Sequence, residues 1–287
     1  MIVVSIFSKH EDFIELQYNS MVKHLKGNYE YVILNNASDA NQSKLNRNKC
    51  DELGIRCIDI ASGSGDPSDI AGVALNNMFH LFKGETILKI DSDMFFMSDV
   101  DLDNIFNRHD SVYIPIFSAN TERMWSGVFG LKSNMTSSPI NCLPRPGLDP
   151  FGESNVLVEN TNQASKMKLF GLFNVDGNKI SGCINNDCVI QFDGNGELIS
   201  VEREDYVSKY DLLDCDLYEK FASIVSMVKK YDFPIPYMLD IIELDGVNSI
   251  FHFKSASWEY TNASEYVSNK KQSMKKLLQN TKGKHND

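Results

Sequence analysis

The segment from Thr86 to Phe96 constrains the fold of this chain more than any other. A short run rich in Ile and Leu, Ile87–Ile90, leads into two acids, Asp91 and Asp93, and then into two aromatic residues. Such a run is typical of a buried parallel strand, and strand side chains alternate, so both acids project to one side. Ligands of open α/β sheets bind at the carboxyl ends of strands. Two acids there, without basic neighbours, indicate a divalent metal carrying a diphosphate.

An Asp-x-Asp tripeptide by itself is common, and the alternative is that these acids cap the next helix. Here a helical pattern, Ile70–Phe82, and the turn Lys83–Glu85 precede the strand. The order of helix, turn, strand, Asp-Ser-Asp and hydrophobic pair resembles the metal-binding motif of GT-A fold glycosyltransferases.

Composition and charge narrow the function classes. The chain has 287 residues, 42% of them hydrophobic, which suits one large α/β domain. A net charge of -11 argues against a general nucleic-acid binder. No apolar run reaches the roughly 18 residues of a membrane span, and no basic segment precedes an apolar N-terminal core. We therefore expect a cytoplasmic protein.

Six cysteines are too scattered for a zinc site and too few for a disulfide scaffold. Cys183 and Cys188 are the nearest to a pair. In a reducing cytoplasm we expect free thiols.

The first half of the chain alternates strand and helix. Strands are predicted at 2–7, 29–34 and 55–60, and helices at 11–25, 42–53 and 70–82. This order predicts a parallel, doubly wound sheet. It is similar to the nucleotide-binding half of GT-A enzymes, and the resemblance implies a mixed, mainly parallel sheet flanked by helices.

That resemblance assigns the nucleotide-sugar to the loops after the first two strands. The candidates are Ser5, Ser8, Asn35 and Asn36, and the loop Asn35–Asp39 is similar to an Asp-Asn-x-Ser-x-Asp loop of the family. Asn35 stands where the family often has Asp. The alternative is that Asn and Ser are ordinary turn residues after a strand.

Ser111–Phe117 is predicted as a further strand, followed by Trp125, Ser126 and Gly127. These three resemble the acceptor-side strand of GT-A enzymes, where Gly permits close backbone approach to a sugar and Trp can stack on it. The alternative is a buried Trp beside a strand Gly.

Residues 133–185 show no pattern that places a helix. Asp187 is the acid that we expect to face the acceptor, because many family members have one in this region; Asp149 and Glu153 are rivals. For each of them an ordinary turn acid is the alternative.

The second informative stretch is Ser249–Trp258. A lone His in an apolar strand is usually a core residue, yet His252 and Lys254 with Trp258 resemble the C-terminal closing motif of many GT-A enzymes. The resemblance implies that His252 completes the coordination shell of the metal ion and that Lys254 binds the diphosphate. Imidazole with carboxylate and phosphate oxygens suits Mn²⁺, and Mg²⁺ is the other candidate.

We expect a single catalytic domain over 1–260, with a nucleotide-sugar half, 1–110, and an acceptor half, 111–260. A basic helix or tail, 261–287, follows; it could touch a membrane or an acidic partner, although a solvated helix is the simpler interpretation.

The resemblance implies a transferase that moves a sugar from a nucleoside-diphosphate sugar, UDP first and GDP next, to a glycan or other hydroxyl acceptor. Asp91, Asp93 and His252 would bind the metal, Asp91 and Ser92 would also contact the nucleotide-sugar, and Asp187 would be the catalytic base. Three alternatives are a sugar-phosphate nucleotidyltransferase, a haloacid-dehalogenase-like phosphatase and a non-catalytic glycan- or nucleotide-sugar-binding domain.

Overall fold

The computed structural model describes the chain except residues 63–65, 119–120, 138–139, 145–149, 175–178, 186, 196, 202–215, 234–237, 254–263 and 281–287. The chain divides into two compact units. The first unit comprises Met1–Met94 and Asp99–Met167, and the second comprises Phe95–Ser98 and Lys168–Asp287. The functional halves 1–110 and 111–260 and the tail 261–287 stay predictions.

The first unit alternates strands and helices up to β5. In chain order the elements up to β10 are β1 (Ile2–Phe7), α1 (Asp12–His24), β2 (Leu25–Lys26), β3 (Glu30–Asn35), α2 (Ala40–Leu53), β4 (Arg56–Asp59), α3 (Pro67–Leu81), β5 (Ile87–Asp91), β6 (Met94–Phe96, which belongs mostly to the second unit and joins its sheet), β7 (Val100–Asp101), α4 (Leu102–Arg108), β8 (Ser111–Ser118), β9 (Thr121–Leu131), α5 (Ser133–Thr136), α6 (Asn155–Glu159) and β10 (Ala164–Lys166).

Seven of these strands form one sheet in the order β10-β8-β9-β5-β1-β3-β4. The strands β4, β3, β1 and β5 are parallel, with Ile2 of β1 paired to Glu30 and to Ile87. The strand β9 runs antiparallel to β5 and β8. The predicted fold class, an α/β protein with a mainly parallel sheet and helices between its strands, is confirmed. The carboxyl ends of β1, β3 and β5 therefore meet at one edge.

Local capping explains where two of the helices begin. Asp39 precedes α2 and its side chain accepts a hydrogen bond of 2.8 Å from Gln42 N. Asp66 caps α3 in the same way, and Pro67 follows at the first helical position, where its missing N–H costs nothing. The last residue of the predicted loop Asn35–Asp39 is thus a helix cap.

The core of the first unit contains a cluster of aromatic rings from α3, β9 and the segment before α6. Phe129 lies 4.6 Å from Phe151 and 6.1 Å from Phe79 between ring centroids, and all three side chains are buried. Such pairs stabilise a core beyond their buried area. These ring contacts hold α3 against one face of the first sheet.

The second unit is built on an antiparallel sheet in the order β14-β13-β12-β11-β15-β16-β6. Its elements are β11 (Lys168–Asn174), β12 (Lys179–Ile184), β13 (Asp187–Asp193), β14 (Leu198–Val201), α7 (Leu217–Lys230), β15 (Met238–Leu244), β16 (Val247–His252) and α8 (Ser264–Asn280). Three strands that the sequence did not predict, β10 to β12, lie within residues 133–185.

The helix α7 has one apolar stripe, and Phe221 on that stripe meets Phe170 of β11 edge to face, 5.7 Å between centroids. A Cβ atom on Gly182 would lie 2.7 Å from the Phe221 ring, so glycine leaves the space for this ring on the sheet.

The expectation of free thiols is wrong for one pair. The register of β12 and β13 sets Cys183 opposite Cys188, and the two are joined by a disulfide bond. A hairpin brings these side chains together, which spacing alone could not establish. Cys50, Cys57 and Cys142 are free thiols.

Among the described residues, no helix combines the length and the apolar character that crossing a membrane requires. The helix α8 lies in the predicted basic tail, and its Met274 and Leu277 are buried while Lys275 and Lys276 are exposed.

Candidate metal centre

The Asp-Ser-Asp segment lies at the carboxyl edge of the parallel strands. Asp91 is the last residue of β5, Ser92 and Asp93 form a turn, and β6 begins at Met94. Asp93 is buried, with 4% of its surface exposed, whereas 40% of the Asp91 side chain is exposed. The two acids therefore differ in their exposure to solvent.

The sequence interpretation that these acids lack a basic neighbour is wrong. Lys89, within the run that we treated as apolar, is buried and its Nζ forms an ion pair with Asp91 Oδ1. The same ammonium donates to the carbonyl oxygens of Ser126, at 2.5 Å, and Gly127, at 3.1 Å. Lys89 lies two residues before Asp91, so the period of a strand puts both on one face. The spacing of two residues between Lys89 and Asp91 is the sequence signal from which this ion pair could have been predicted.

A buried glutamine holds the backbone on both sides of the turn. Gln17 of α1 donates through Nε2 to the carbonyl oxygens of Asp91, at 2.8 Å, and Met94, at 2.7 Å. Its Oε1 accepts from Tyr31, at 2.5 Å, and lies 2.7 Å from the hydroxyl of Ser5. Burial raises the pKa of the Tyr31 phenol well above its ordinary value, so it stays a donor. Sequence reasoning missed Gln17.

The second informative stretch contains a histidine–carboxylate pair. His252 is the last residue of β16, and its Nδ1 lies 2.8 Å from Oδ2 of Asp240 on the adjacent strand β15. Both side chains are buried. When Nδ1 carries the proton and donates it to Asp240, Nε2 carries the lone pair, which is the usual arrangement of metal-binding histidines. Asp240 was also missed, because its role follows from strand register.

The residues predicted as metal ligands have side chains of the types that could hold a metal ion: Asp91 and Asp93 in the first unit and His252 in the second. β6, which begins one residue after Asp93, is the neighbour of β16 in the second sheet. Met97 N donates to Ser249 O at 2.9 Å there. Two carboxylates and an imidazole are a donor set that suits Mn²⁺.

The predicted nucleotide-binding residues differ in exposure. Asn35 is buried, and its amide bonds to Ser43, to Asp59 Oδ1 at 2.7 Å and to Asn46 at 2.9 Å. Asn36 is also buried, and its Oδ1 has no hydrogen-bond partner among the described residues. The remaining predicted residues are Ser5, which is buried against Gln17 and Ile90, Ser8, which is exposed, Ser92, which is half-buried, and Lys254, which is outside the described residues. Their binding roles stay predictions.

The predicted acceptor residues lie on β9, beside β5. A Cβ atom on Gly127 would lie 2.4 Å from Cη2 of Trp125, so the indole ring covers this glycine. The close approach that the glycine permits is therefore made by Trp125. Ser126 presents its carbonyl oxygen to Lys89. The acceptor contacts of these three residues stay predictions.

Asp187 begins β13 and pairs with Ile184 across the hairpin that carries the disulfide. Its side chain is half-buried. Glu153 lies before α6, and Asp149 is outside the described residues. The role of Asp187 as a base stays a prediction.

Comparison with known proteins finds no matching family model and no matching curated protein. Solved structures do match. The mannosyltransferase PcManGT from Pyrobaculum calidifontis, in complex with GDP-Man and Mn²⁺, is 11% identical over 57% of this chain and 53% of that chain, with a TM-score of 0.42. TarS 1-349 from S. aureus, in complex with UDP, is 15% identical over 57% of this chain and 56% of that chain, with a TM-score of 0.40.

A putative glucose-1-phosphate thymidylyltransferase from Bacillus anthracis, in complex with a sucrose, is 9% identical over 57% of this chain and 85% of that chain, with a TM-score of 0.40. This chain spans little more than half the length of the PcManGT and TarS chains. Glycosyltransferases are thus among the solved structures that it resembles. At these TM-scores the likenesses carry no argument about activity.

Proposed function

We propose that this chain is a metal-dependent glycosyltransferase. It transfers a sugar from a nucleoside-diphosphate sugar, UDP first and GDP next, to a hydroxyl group of a glycan or another acceptor. The observation that carries the proposal is the pair of acids at the carboxyl edge of the parallel strands, with a carboxylate-oriented histidine available as a third ligand. This edge is where open α/β sheets bind their ligands.

In this proposal Asp91, Asp93 and His252 hold the metal ion. The donor types support Mn²⁺, with Mg²⁺ as the alternative, and Asp240 supports the assignment because it can keep the imidazole in the required tautomer. The ion pair with Lys89 compensates the charge of Asp91.

A bound divalent ion supplies Lewis-acid stabilisation of the nucleoside diphosphate that leaves. The chain's own residues bind and orient the substrates: Ser8, Asn36 and Ser92 for the nucleotide-sugar, and Trp125 for the acceptor. Lys254 adds a positive charge for the diphosphate. If the reaction inverts the configuration at the anomeric carbon, a carboxylate oxygen of Asp187 takes the proton of the attacking hydroxyl group.

The two enzyme alternatives fit less well. A sugar-phosphate nucleotidyltransferase expects a Gly-rich loop with Arg and Lys after the first strand, and Ser5–Lys9 has no Gly or Arg. In a haloacid-dehalogenase-like phosphatase the Asp motif follows the first core strand, whereas here it follows β5.

The test is thermal unfolding with UDP, GDP or CMP, each with and without Mn²⁺. A ligand at 100 times its Kd adds about 2.7 kcal/mol to the free energy of unfolding. We expect one nucleotide to stabilise the wild type only with Mn²⁺, and Asp93→Asn to abolish that shift. The matched control is Asp69→Asn, because Asp69 is an exposed acid in the first turn of α3. A wild type that no nucleotide stabilises contradicts the proposal.

Activity is then measured as nucleoside-diphosphate release from the donor sugar of the stabilising base. Release of pyrophosphate from a nucleoside triphosphate and a sugar 1-phosphate would instead indicate a nucleotidyltransferase. Release of phosphate from a phosphomonoester would indicate a phosphatase.

A further inference from the structure

We infer that Gln17 is a positioning residue that holds the turn Asp91–Met94 in the shape needed to bind the metal ion. The inference rests on the proposed function for the metal, and on the hydrogen bonds of the first unit for the geometry. Gln17 lies 74 residues before Asp91 and touches no group that would react. Its action would be on the backbone that carries Asp93.

The amide of Gln17 is fully committed. The residue is 0% exposed, both Nε2 hydrogens are donated, and Oε1 accepts two hydrogen bonds. A primary amide offers two donors and an acceptor oxygen with two lone pairs, so no capacity is left over. Removing this side chain would take one hydrogen-bond partner from two backbone carbonyls and from the hydroxyls of Ser5 and Tyr31, which is costly.

The direction of the amide follows from its partners. The carbonyl oxygens of Asp91 and Met94 can only accept, so the nitrogen of Gln17 must face them. Tyr31 donates to Oε1 from β3, and Ser5 lies beside it on β1. The amide therefore connects α1, β1 and β3 to the turn after β5.

The two carbonyl oxygens that Gln17 binds bracket the turn. Asp93 lies between them in sequence, and its side chain is buried at 4% exposure. Fixing the backbone on both sides restricts the directions that the Asp93 carboxylate can take. Supporting contacts of this kind typically affect metal affinity by about 10- to 100-fold.

The experiment compares Gln17→Met with Tyr31→Phe in the full chain. Gln17→Met keeps most of the volume and removes all four hydrogen bonds. Tyr31→Phe removes one bond of the same network and keeps both bonds to the turn, so it controls for lost stability. Mn²⁺ alone is titrated by calorimetry, and amide hydrogen exchange is measured at residues 92–94.

We expect Gln17→Met to raise the Kd for Mn²⁺ about tenfold or more, and Tyr31→Phe to change it less than about twofold. Exchange at residues 92–94 should rise roughly tenfold or more in Gln17→Met only. If circular dichroism shows that Gln17→Met is unfolded, Gln17→Glu takes its place, because it keeps the shape and an acceptor oxygen but lacks the amide donors.

A folded Gln17 variant with wild-type Mn²⁺ affinity overturns the inference, as does a Tyr31→Phe variant that loses as much affinity as Gln17→Met. A wild type that binds no Mn²⁺ contradicts the proposed metal site instead. Hydrogen exchange at the turn then decides whether Gln17 holds it: unchanged exchange in the Gln17 variant overturns that part as well.

Discussion

The buried Lys89 forms an ion pair with Asp91, the first acid of the Asp-Ser-Asp segment, so this acid has its own counter-ion in the protein. The remaining two ammonium hydrogens are taken by backbone carbonyl oxygens of β9. The pair therefore ties the candidate metal ligand to the strand that carries the predicted acceptor residues.

We expect Lys89→Met to lower the free energy of unfolding by about 2 kcal/mol, because it removes the ammonium donor from the Asp91 carboxylate and from two backbone carbonyls. Adding Asp91→Asn should recover part of the loss, since the uncompensated charge is then removed. Urea denaturation of the two single variants and the double variant measures this coupling. Strict additivity of the two losses would show that the pair does not stabilise the fold.

Asp240→Asn should weaken Mn²⁺ binding about tenfold, because the charged partner that orients His252 is lost. Glu243→Gln is the matched control: it is on the same strand β15, and its partner is Lys220 of α7. Calorimetric titration with Mn²⁺ measures both. Equal Kd values for the two variants would rule out an orienting role for Asp240.

Gly127→Ala should destabilise the protein by roughly 1–3 kcal/mol, because the added Cβ would overlap the Trp125 ring at 2.4 Å. In a Trp125→Ala background the same change should cost almost nothing. Chemical denaturation of the four proteins of this double-mutant cycle gives the coupling. If Gly127→Ala still lowers the stability in the Trp125→Ala background, then the backbone, and not the Trp125 ring, requires the glycine.

Stability should fall as the pH falls through the ordinary pKa of histidine, in part because of His24. Burial lowers the pKa of His24 below 6.5, although the hydrogen bond with Asp99 opposes this shift. The unfolded chain therefore takes up this proton first, which favours unfolding as the pH drops. Urea denaturation between pH 7.5 and the acid transition should show a smaller slope for His24→Gln. Parallel curves would contradict the assignment.

Cys183 and Cys188 should resist alkylation until a reductant is added, whereas Cys57, which is half-buried, should react without one. Peptide mass spectrometry with and without dithiothreitol measures this. Closing so short a loop contributes about 2 kcal/mol in the chain-entropy account, so the double variant Cys183→Ser/Cys188→Ser should lose roughly that amount. Immediate alkylation of both cysteines in the unreduced protein would mean that no bond forms.

The periodicity of the sequence was sufficient for the first half of the fold. Alternating strands and helices up to β5 follow local patterns of apolar residues, and a βαβ order leaves little choice but a parallel sheet. The same reasoning put Asp91 and Asp93 at the end of a strand. It did not place β10 to β12, because their residues 164–184 carry no clear alternation and their pairing is set by distant strands.

By itself, then, the sequence determined the parallel core and the acids at its edge, since both depend on neighbours within a few residues. Only the tertiary structure decided which partners the predicted metal ligands have. Gln17 reaches Asp91 across 74 residues, and Asp240 meets His252 through the register of β15 and β16. Lys89 lies only two residues before Asp91 in the sequence, but its burial depends on the carbonyl groups of β9 that accept its hydrogen bonds. Such contacts join segments that folding brings together, so no local pattern records them.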